Sequence, residues 1–212
     1  ISDISVIDPS IKDIVTLFKT AKAENMSPSN WLKHKLEKIE EKQIHNVHDV
    51  QLLTPVKAPE VWACGVTYLD SRKARNSETS MKNVKETFYD KVYSAERPEL
   101  FFKSTDRRTK STGESLHLRM DSNWQVPEPE LCLVVTADRE LIGYTIGNDM
   151  SSRDIEGENL LYLPQAKIWE ASCSFGPAIA LADTLDDPYN LDINCKITIF
   201  SISGWKRHAS RD

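Results

Sequence analysis

Apolar residues in the middle of the chain fall into two short runs separated by a polar turn, a pattern that predicts a β-hairpin. The first run, residues 131–135, is rich in β-branched residues and is typical of a strand. After the polar residues 137–140, the second run at residues 141–146 should pair antiparallel with the first. Pro127 and Pro129 lack a backbone N–H donor, so they fit the start of a strand or the edge of a sheet.

Three carboxylates should meet at the open end of this hairpin. Glu128 and Glu130 are two positions apart, and side chains at that spacing on a strand project from the same face. The second strand then returns Asp149 to the same end. Close carboxylates repel each other unless a cation lies between them, one is protonated or all are solvated. Oxygen ligands without histidine or thiolate suit Mg²⁺, Mn²⁺ or Ca²⁺ better than zinc, although such a pair is more often a solvated face.

The first 57 residues show helical rather than strand periodicity. A first helix is predicted with Ser10 and Asp13 at its N-terminal cap. Its apolar face consists of Ile11, Ile14, Val15 and Phe18. A second helix should begin after Ser29. The apolar residues on its inner face are Leu32, Leu36 and Ile39. We interpret residues 1–57 as a small, largely helical N-terminal accessory domain.

Residues 58–212 have a different sequence pattern, which predicts short strands separated by turns. We predict that these residues form a second domain. One helical stretch, from Ser80 to Tyr93, is expected to form a mobile flap over the carboxylates. The predicted fold class is therefore α+β with a predominance of β structure. His45 and His48 have a spacing that metal ligands use, but no third ligand accompanies them, so we prefer a surface position.

Composition narrows the function classes. With 212 residues and 40% hydrophobic content, the chain can form a full hydrophobic core. No apolar run is long enough to cross a bilayer, and the net charge of −5 without a basic face argues against nucleic acid or membrane partners. The four cysteines show no paired spacing, which favours buried free thiols in a reducing compartment. Without features of a signal peptide, a cytoplasmic protein is expected.

Beyond the carboxylates, several recognisable motifs are spread along the chain. They are Glu128-Pro129-Glu130-Leu131, residues 143–154, Gln165-Ala166-Lys167 and Phe175-Gly176-Pro177. In these motifs the chain resembles the fumarylacetoacetate hydrolase superfamily. The resemblance implies a mixed β-roll or β-sandwich in which Glu128, Glu130 and Asp149 bind the metal. It also implies that Lys167 acts in catalysis, that the protein is a homo-oligomer, and that the catalytic domain is incomplete at its C-terminal end.

Three further segments, residues 61–68, 96–103 and 155–167, are similar to the branch of this superfamily that dehydrates 2-keto-3-deoxy sugar acids. Hydrolases of the superfamily carry a histidine at the position of Ser71, and without an imidazole a base that activates water is hard to identify. The resemblance therefore implies dehydration of a pentonate-type acid through an enolate chelated to Mg²⁺. Hydrolysis or decarboxylation of a 2-oxo or 1,3-dicarbonyl acid is the alternative, as is an inactive truncated relative.

Four basic side chains are candidates for contact with a small 2-oxo acid substrate. Lys167 could remove the proton at carbon 3 if its pKa were depressed, or stabilise the enolate if it stays charged. Arg72 and Arg75 could bind the substrate's carboxylate or hydroxyls through bidentate hydrogen bonds, although a solvated helix start explains them equally well. Arg153 lies in a family motif and is the fourth candidate.

The surroundings of Arg153 also have a structural explanation. Ser151 and Asp154 have the spacing of a capping box that would start a short helix. Glu99 precedes a predicted strand, where a glutamate is either exposed or facing the site. Glu156 stands where many superfamily members have glutamine.

Overall fold

The structure is a computed structural model, and it describes residues 8–38, 45–78, 87–200 and 206–211. Its helices are α1 (Ile14–Ala23), α2 (Pro28–Leu36), α3 (Leu69–Glu78), α4 (Phe88–Tyr93), α5 (Arg153–Glu158) and α6 (Leu163–Lys167). Its strands are β1 (Val61–Cys64), β2 (Leu100–Ser104), β3 (Thr109–Lys110), β4 (Gln125–Val126), β5 (Pro129–Val135), β6 (Leu141–Asp149), β7 (Ser151–Ser152), β8 (Cys173–Leu181), β9 (Cys195–Phe200) and β10 (Lys206–Arg211).

The predicted hairpin is confirmed and forms half of a four-stranded sheet with the strand order β3-β8-β6-β5. β6 pairs antiparallel with both β5 and β8, and β3 joins β8 in parallel. β5 is an edge strand, which agrees with the proline at its start. The remaining strands pair two by two: β1 with β2, β4 with β7, and β9 with β10.

The register of the hairpin brings the carboxylates to one end of the sheet. Glu130 pairs with Gly147, where a Cβ atom would lie 2.2 Å from Cys132 Sγ. The absence of a side chain at this glycine therefore lets the two strands approach. Beyond the last pair, the backbone N–H of Asp149 donates to the carbonyl oxygen of Glu128 over 2.9 Å. This hydrogen bond holds the two acidic residues side by side.

Helices α1 and α2 pack against one face of the four-stranded sheet. The buried sheet residues of this core are Val134, Ile142 and Leu181. The helix residues that pack on them are Ile14, Val15, Phe18 and Leu32. Ile11 is buried in a second cluster with Leu17, Ala21 and Trp31. Ile14, Val15 and Phe18 of the predicted face are partly buried on the sheet, but Ile11 precedes the helix and the buried residues of α1, Leu17 and Ala21, were not predicted. The two clusters share Ile14 and Leu32 as bordering residues.

The cap of α1 differs in part from the prediction. Asp13 caps the helix, since its Oδ1 accepts from the backbone N–H of Thr16 over 2.6 Å. Ser10 does not take part, because its hydroxyl donates to Asp8 Oδ1 over 2.5 Å. A carboxylate accepts a backbone N–H more strongly than a neutral hydroxyl does, which explains why Asp13 prevails.

Helix α2 begins two residues earlier than predicted, because Ser27 is its cap and Pro28 occupies its first turn. Its fully buried residue is Trp31, with 0% exposure. The prediction that Leu36 is buried is wrong, because this last residue of the helix is 42% exposed. Ile39 lies outside the described residues.

The predicted flap from Ser80 to Tyr93 is described only in part, since residues 79–86 lie outside the described ranges. Its end forms α4, which is tied to α3 by side-chain hydrogen bonds. Asn76 Nδ2 donates to Asp90 Oδ1 over 3.0 Å, and the Thr87 hydroxyl donates to Asn76 Oδ1 over 2.6 Å. The two helices therefore form one wall.

The four cysteines are free, as predicted, but their predicted burial holds only for Cys173. Cys64 is exposed because neighbouring positions of a two-stranded ribbon alternate between its faces. His45 and His48 are both exposed, in line with the preferred interpretation. Among the helices that the structure describes, none combines the length and the apolarity that a membrane span needs.

Candidate metal and catalytic site

The carboxylate end of the hairpin meets the C-terminal end of α6 at Lys167. Glu128 directly precedes β5, and Asp149 is the last residue of β6. The Lys167 ammonium group donates to Asp149 Oδ2 over 2.8 Å and to Glu128 Oε2. It also donates over 2.6 Å to the Ser151 hydroxyl, which itself donates to Glu128 Oε2 over 2.9 Å. With 4% exposure, Lys167 is a buried cation between two carboxylates.

Lys167 and Asp149 stay ionised despite their burial. Burial opposes the charge of Lys167, but the carboxylates of Glu128 and Asp149 outweigh it and raise the Lys167 pKa above its ordinary value. Burial also opposes the charge of Asp149, yet Lys167 and Lys103 lower the pKa of that carboxyl group. At neutral pH the pair is therefore ammonium and carboxylate, and Lys167 carries its full complement of protons.

Glu130 lies in the same cluster but favours its neutral form. Burial raises the pKa of Glu130 to about 8, and the charges of Glu128 and Asp149 act in the same direction. The Tyr68 hydroxyl is hydrogen-bonded to Glu130 and accepts from the backbone N–H of Leu131 over 3.0 Å. Burial raises the pKa of Tyr68 to about 12, so this hydroxyl keeps its proton. Within the cluster, the pKa of Glu130 is therefore raised whereas that of Asp149 is lowered.

Two of the three predicted substrate-binding arginines contact the carboxylates of this cluster. Arg153 Nη2 lies 2.8 Å from Glu128 Oε1, and Arg75 Nη2 lies 3.8 Å from the same oxygen. Arg75 also forms an ion pair with Glu156. Both guanidinium groups are buried, so they act on Glu128 from inside the protein.

Arg72 lies apart from the other predicted site residues. Its Nε is 3.7 Å from Asp90 Oδ1, and its guanidinium group lies over the ring of Tyr93 at 4.6 Å from the centroid. It is not among the described residues that line the cavity. Arg72 therefore joins α3 to α4 within the wall.

A cavity lined by both charged and apolar residues adjoins the carboxylate cluster. Its charged lining consists of Arg75, Glu99, Glu128, Glu130, Glu156 and Lys167. Its apolar lining includes Phe88, Tyr89, Phe101, Leu160 and Leu163. Ser71 also lines the cavity. Glu99 therefore faces the site, and its half-burial raises its pKa, with a further contribution from the charge of Glu156.

The predicted capping box between Ser151 and Asp154 does not form. The helix α5 begins after Ser152, whose side chain makes no capping hydrogen bond. Asp154 instead accepts from the Ser122 hydroxyl over 2.6 Å and from the backbone N–H of Asn123 over 2.7 Å. The hydroxyl of Ser151 binds the charged groups of the cluster, because hydrogen bonds to charged partners are stronger than those to a backbone amide.

Sequence reasoning missed the roles of Ser151, Tyr68 and Lys103. Lys103 lies in β2 with 2% exposure, and its Nζ is 2.7 Å from Asp149 Oδ1. A signal was available, because Tyr68 and Lys103 both lie in segments that carry the family resemblance. Moreover, a lysine that directly follows three apolar residues of a strand is unusual, since lysine is almost never fully buried without a partner.

The donor set of this cluster has the chemistry that a hard divalent cation requires. Glu128, Glu130 and Asp149 offer only oxygen atoms, and two of them already direct an oxygen to one cationic group, the ammonium of Lys167. Burial is the main cause of the raised pKa of Glu130, and the charges of Glu128 and Asp149 add to it, so a bound cation would offset part of this repulsion. Within the described part of the chain, however, no three His, Cys, Asp or Glu side chains are grouped as a ready ligand set. The assignment of the three ligands therefore stays a prediction.

Comparison with known proteins identifies the family. Residues 72–208 match the fumarylacetoacetate (FAA) hydrolase C-terminal family. The chain belongs to this family. Its relatives in the FAA hydrolase family include the 2-dehydro-3-deoxy-D-arabinonate dehydratase of Saccharolobus solfataricus, with 45% identity over 71% of this chain and 51% of that protein. The probable 2-keto-3-deoxyxylonate dehydratase of Haloferax volcanii is 48% identical over 70% of this chain and 50% of that protein. The chain spans about half the length of these curated relatives.

Solved structures of FAA hydrolase type share the same fold. A hexagonal crystal form of 2-keto-3-deoxyarabinonate dehydratase has a TM-score of 0.66 and 41% identity, covering 79% of this chain and 57% of that chain. The 2-keto-3-deoxy-D-arabinonate dehydratase complexed with magnesium and 2,5-dioxopentanoate has a TM-score of 0.63 and 38% identity, covering 81% and 59%. The predicted superfamily and its mixed α and β structure are confirmed. The closed β-roll and the separate N-terminal domain stay predictions.

Proposed function

We propose that this chain carries the site of a metal-dependent dehydratase that acts on a 2-keto-3-deoxy sugar acid of the pentonate type. The observation that carries the proposal is the cluster of Glu128, Glu130 and Asp149 around Lys167, in which Glu128, Glu130 and Lys167 line one cavity and Asp149 lies buried behind them. The names of the two dehydratase relatives support the substrate class. The solved neighbour that holds magnesium and 2,5-dioxopentanoate supports both a divalent cation and a small 2-oxo acid at such a site.

Three oxygen-donating residues would hold the cation, namely Glu128, Glu130 and Asp149. When bound, Mg²⁺ would supply Lewis-acid stabilisation of the negative charge that develops on the keto oxygen of the substrate, and Mn²⁺ or Ca²⁺ would satisfy the same donors. Arg153 and Arg75 contribute by fixing the carboxylate of Glu128, whose Oε1 they approach from inside the protein. We therefore assign Arg153 to the orientation of a ligand, whereas Arg75, which also lines the cavity, keeps its predicted role in substrate binding.

Lys167 contributes positive charge at the base of the cavity. Its pKa is raised above the ordinary value, so its ammonium group is better suited to stabilise an enolate than to remove the proton at carbon 3. Of the two roles that the sequence allowed, the structure thus supports charge stabilisation. A basic role would require the loss of its contacts with Glu128 and Asp149, which hold the proton on its nitrogen.

Glu99 and Glu156 are the candidates for proton transfer. Dehydration transfers the proton of carbon 3 to a base and breaks the C–O bond at carbon 4, and the hydroxyl leaves as water once an acid has given it a proton. One cavity glutamate that accepts the proton from carbon 3 and passes it to the hydroxyl would balance the reaction. Both glutamates line the cavity, and the pKa of Glu99 is raised by its burial and by the charge of Glu156. A raised pKa makes a carboxylate a stronger base for the proton of carbon 3, and the proton that it takes up is then available to the leaving hydroxyl. We assign Glu99 as this base and acid on this ground.

Hydrolysis is the alternative reaction, and the identity of residue 71 in the cavity lining argues against it. Ser71 lines the cavity at the position where hydrolases of the superfamily carry a histidine. A serine hydroxyl does not titrate near neutral pH, so it cannot act as the base that activates a water molecule. Product analysis separates the two reactions, because dehydration keeps all carbon atoms of the substrate in one molecule.

The proposal is tested by a calorimetric Mg²⁺ titration with and without pyruvate, followed by turnover of 2-keto-3-deoxyarabinonate. We expect Mg²⁺ binding in the parent, pyruvate binding only with Mg²⁺ present, and loss of both in Glu130→Gln. Lys167→Met should lower turnover by at least about 100-fold, as expected when a group that stabilises transition-state charge is removed. The matched control is Lys110→Met, because Lys110 is not among the described residues that line the cavity. Near-parental turnover in Lys167→Met, or no Mg²⁺ binding in the parent, would reject the proposal.

A further inference from the structure

Lys103 places a second buried ammonium group beside Asp149. It belongs to β2, and only 1% of its side chain is exposed. Its Nζ lies 2.7 Å from Asp149 Oδ1, whereas the Lys167 ammonium donates to the other oxygen, Oδ2, over 2.8 Å. Two lysines from different elements therefore hold the two oxygens of one carboxylate.

Lys103 also donates to two backbone carbonyl oxygens. These belong to Met150, at a distance of 2.7 Å, and to Lys167. An ammonium group has three N–H donors, and the carboxylate together with the two carbonyls can use all of them. The carbonyl of Lys167 further accepts from the Ser172 hydroxyl over 3.1 Å. One side chain of β2 thus joins the end of β6 to the end of α6.

We propose that Lys103 is a positioning residue that fixes both the carboxylate of Asp149 and the backbone of Lys167. The inference rests on the proposed function, in which Asp149 is a metal ligand and Lys167 stabilises charge. Lys103 is not among the described residues that line the cavity, and its three acceptors are protein groups. It therefore acts through Asp149 and Lys167 and does not contact the substrate.

Charge and geometry predict opposite effects of Lys103→Met on Mg²⁺ affinity. Methionine has a similar length but no charge, and removing a positive charge next to Asp149 would strengthen the Coulomb attraction of a divalent cation. Loss of the three contacts would instead let the carboxylate rotate away. Residues that orient metal ligands typically contribute about 10- to 100-fold to metal affinity. We expect this loss to dominate, so that the dissociation constant of Mg²⁺ rises.

The test is a calorimetric Mg²⁺ titration of the parent, Lys103→Met, Lys103→Arg and Lys110→Met. Lys103→Arg keeps the positive charge but replaces the three-donor ammonium with a planar group, so it should also bind Mg²⁺ more weakly. Lys110 is a half-buried lysine 4.0 Å from Glu114, and its replacement should leave the affinity unchanged. Equal or tighter binding in a folded Lys103 variant would overturn the proposal. So would the failure of both Lys103 variants to fold, since Lys103 would then be required for the fold itself.

A second readout does not depend on the metal. Acetylation of individual lysines by acetic anhydride, followed by mass spectrometry, reports how accessible Lys167 is in the metal-free protein. Lys167 is 4% exposed in the intact arrangement, so its labelling should be slow in the parent and rise severalfold in either Lys103 variant, relative to Lys110. Unchanged labelling would overturn the positioning role. If labelling of Lys167 rises in the Lys103 variants but the parent binds no Mg²⁺, the positioning role is kept and the proposed metal site is rejected.

Discussion

Glu130 and Lys167 lie in the same cluster, and burial opposes the charged form of both. The carboxylates of Glu128 and Asp149 restore the charge of Lys167, because opposite charges attract. Burial raises the pKa of Glu130 to about 8, and the repulsion by the same two carboxylates acts in the same direction. A proton on Glu130 is therefore part of the charge balance of the metal-free cluster, and Mg²⁺ must displace this proton to use Glu130 as a ligand.

Replacement of Glu130 by glutamine should make stability less dependent on pH. The folded state raises the pKa of Glu130 from 4.5 to about 8, so it binds more protons than the unfolded state between these values. The stabilisation by the bound proton is complete below the lower value and is lost as the pH rises through the higher one. Urea denaturation of the metal-free protein should show a steeper loss of stability with rising pH in the parent than in Glu130→Gln. Glu158→Gln, at an exposed position of α5, should behave like the parent. Parallel curves for parent and Glu130→Gln would contradict the assignment.

Individual site residues differ in how far the sequence could predict them. Glu128, Glu130 and Asp149 follow from a hairpin whose two strands return to one end, which is a local pattern. The contacts of Arg75 and Arg153 with Glu128 could not be predicted, because they depend on how α3 and α5 pack around that hairpin. The protonation of Lys167 could not be predicted either, since it depends on which carboxylates lie within hydrogen-bond distance.

At the scale of elements, β6 has close neighbours on both sides and tolerates no side chain at some of its positions. A Cβ atom on Gly143 would lie 2.1 Å from the carbonyl oxygen of Ala180 in β8. Since that oxygen belongs to the backbone, the strand itself would have to move. By contrast, Gly157 in α5 has no atom within 4 Å of an added Cβ.

Alanine at these two glycines should change stability in opposite directions. We expect Gly143→Ala to destabilise the protein by about 1–3 kcal/mol through overpacking of the sheet. Gly157→Ala should stabilise it by about 0.5–1 kcal/mol, because alanine loses less conformational entropy than glycine in a helix. Urea denaturation measures both free energies of unfolding. If Gly143→Ala lowered the free energy of unfolding no more than Gly157→Ala does, the close contact between β6 and β8 would not be present.

Element prediction succeeded where periodicity was strong. The β5 and β6 strands extend over seven and nine residues and were predicted from their apolar runs. The strands β3, β4 and β7 have only two residues each, which is too short for a period to be visible. In α2, the burial of Trp31 instead of Leu36 depends on which part of the helix packs against α1, and the sequence does not contain this information.

At the scale of the whole molecule, the helices α1 and α2 and the four-stranded sheet share one hydrophobic core. Ile14 and Leu32 border both the cluster around Trp31 and the cluster on the sheet. A perturbation of the helices should therefore reach the sheet. The helical periodicity predicted the apolar face of α1, but the surface that receives this face could be known only from the structure.

Trp31→Ala should destabilise the whole molecule in a single transition. Trp31 has 0% exposure, and truncation of a buried tryptophan costs about 3–5 kcal/mol. Leu36→Ala, in the same helix at 42% exposure, should cost about 1 kcal/mol or less. Thermal unfolding followed by far-UV and near-UV circular dichroism should give coincident, lowered midpoints for Trp31→Ala. Separate transitions would mean that helices and sheet unfold independently.

Lys167 is the last residue of α6, so the chain itself holds its ammonium group between Glu128 and Asp149. The presence of this cation does not depend on the ions in solution. The acidic residues can therefore gather while the chain folds, before any dissolved cation reaches them. In the proposed metal site, a dissolved cation would share Glu128 and Asp149 with this tethered cation. A monovalent ion brings no more charge than the ammonium group already provides, whereas a divalent ion brings twice as much. We therefore expect the proposed site to bind divalent ions in preference to monovalent ones.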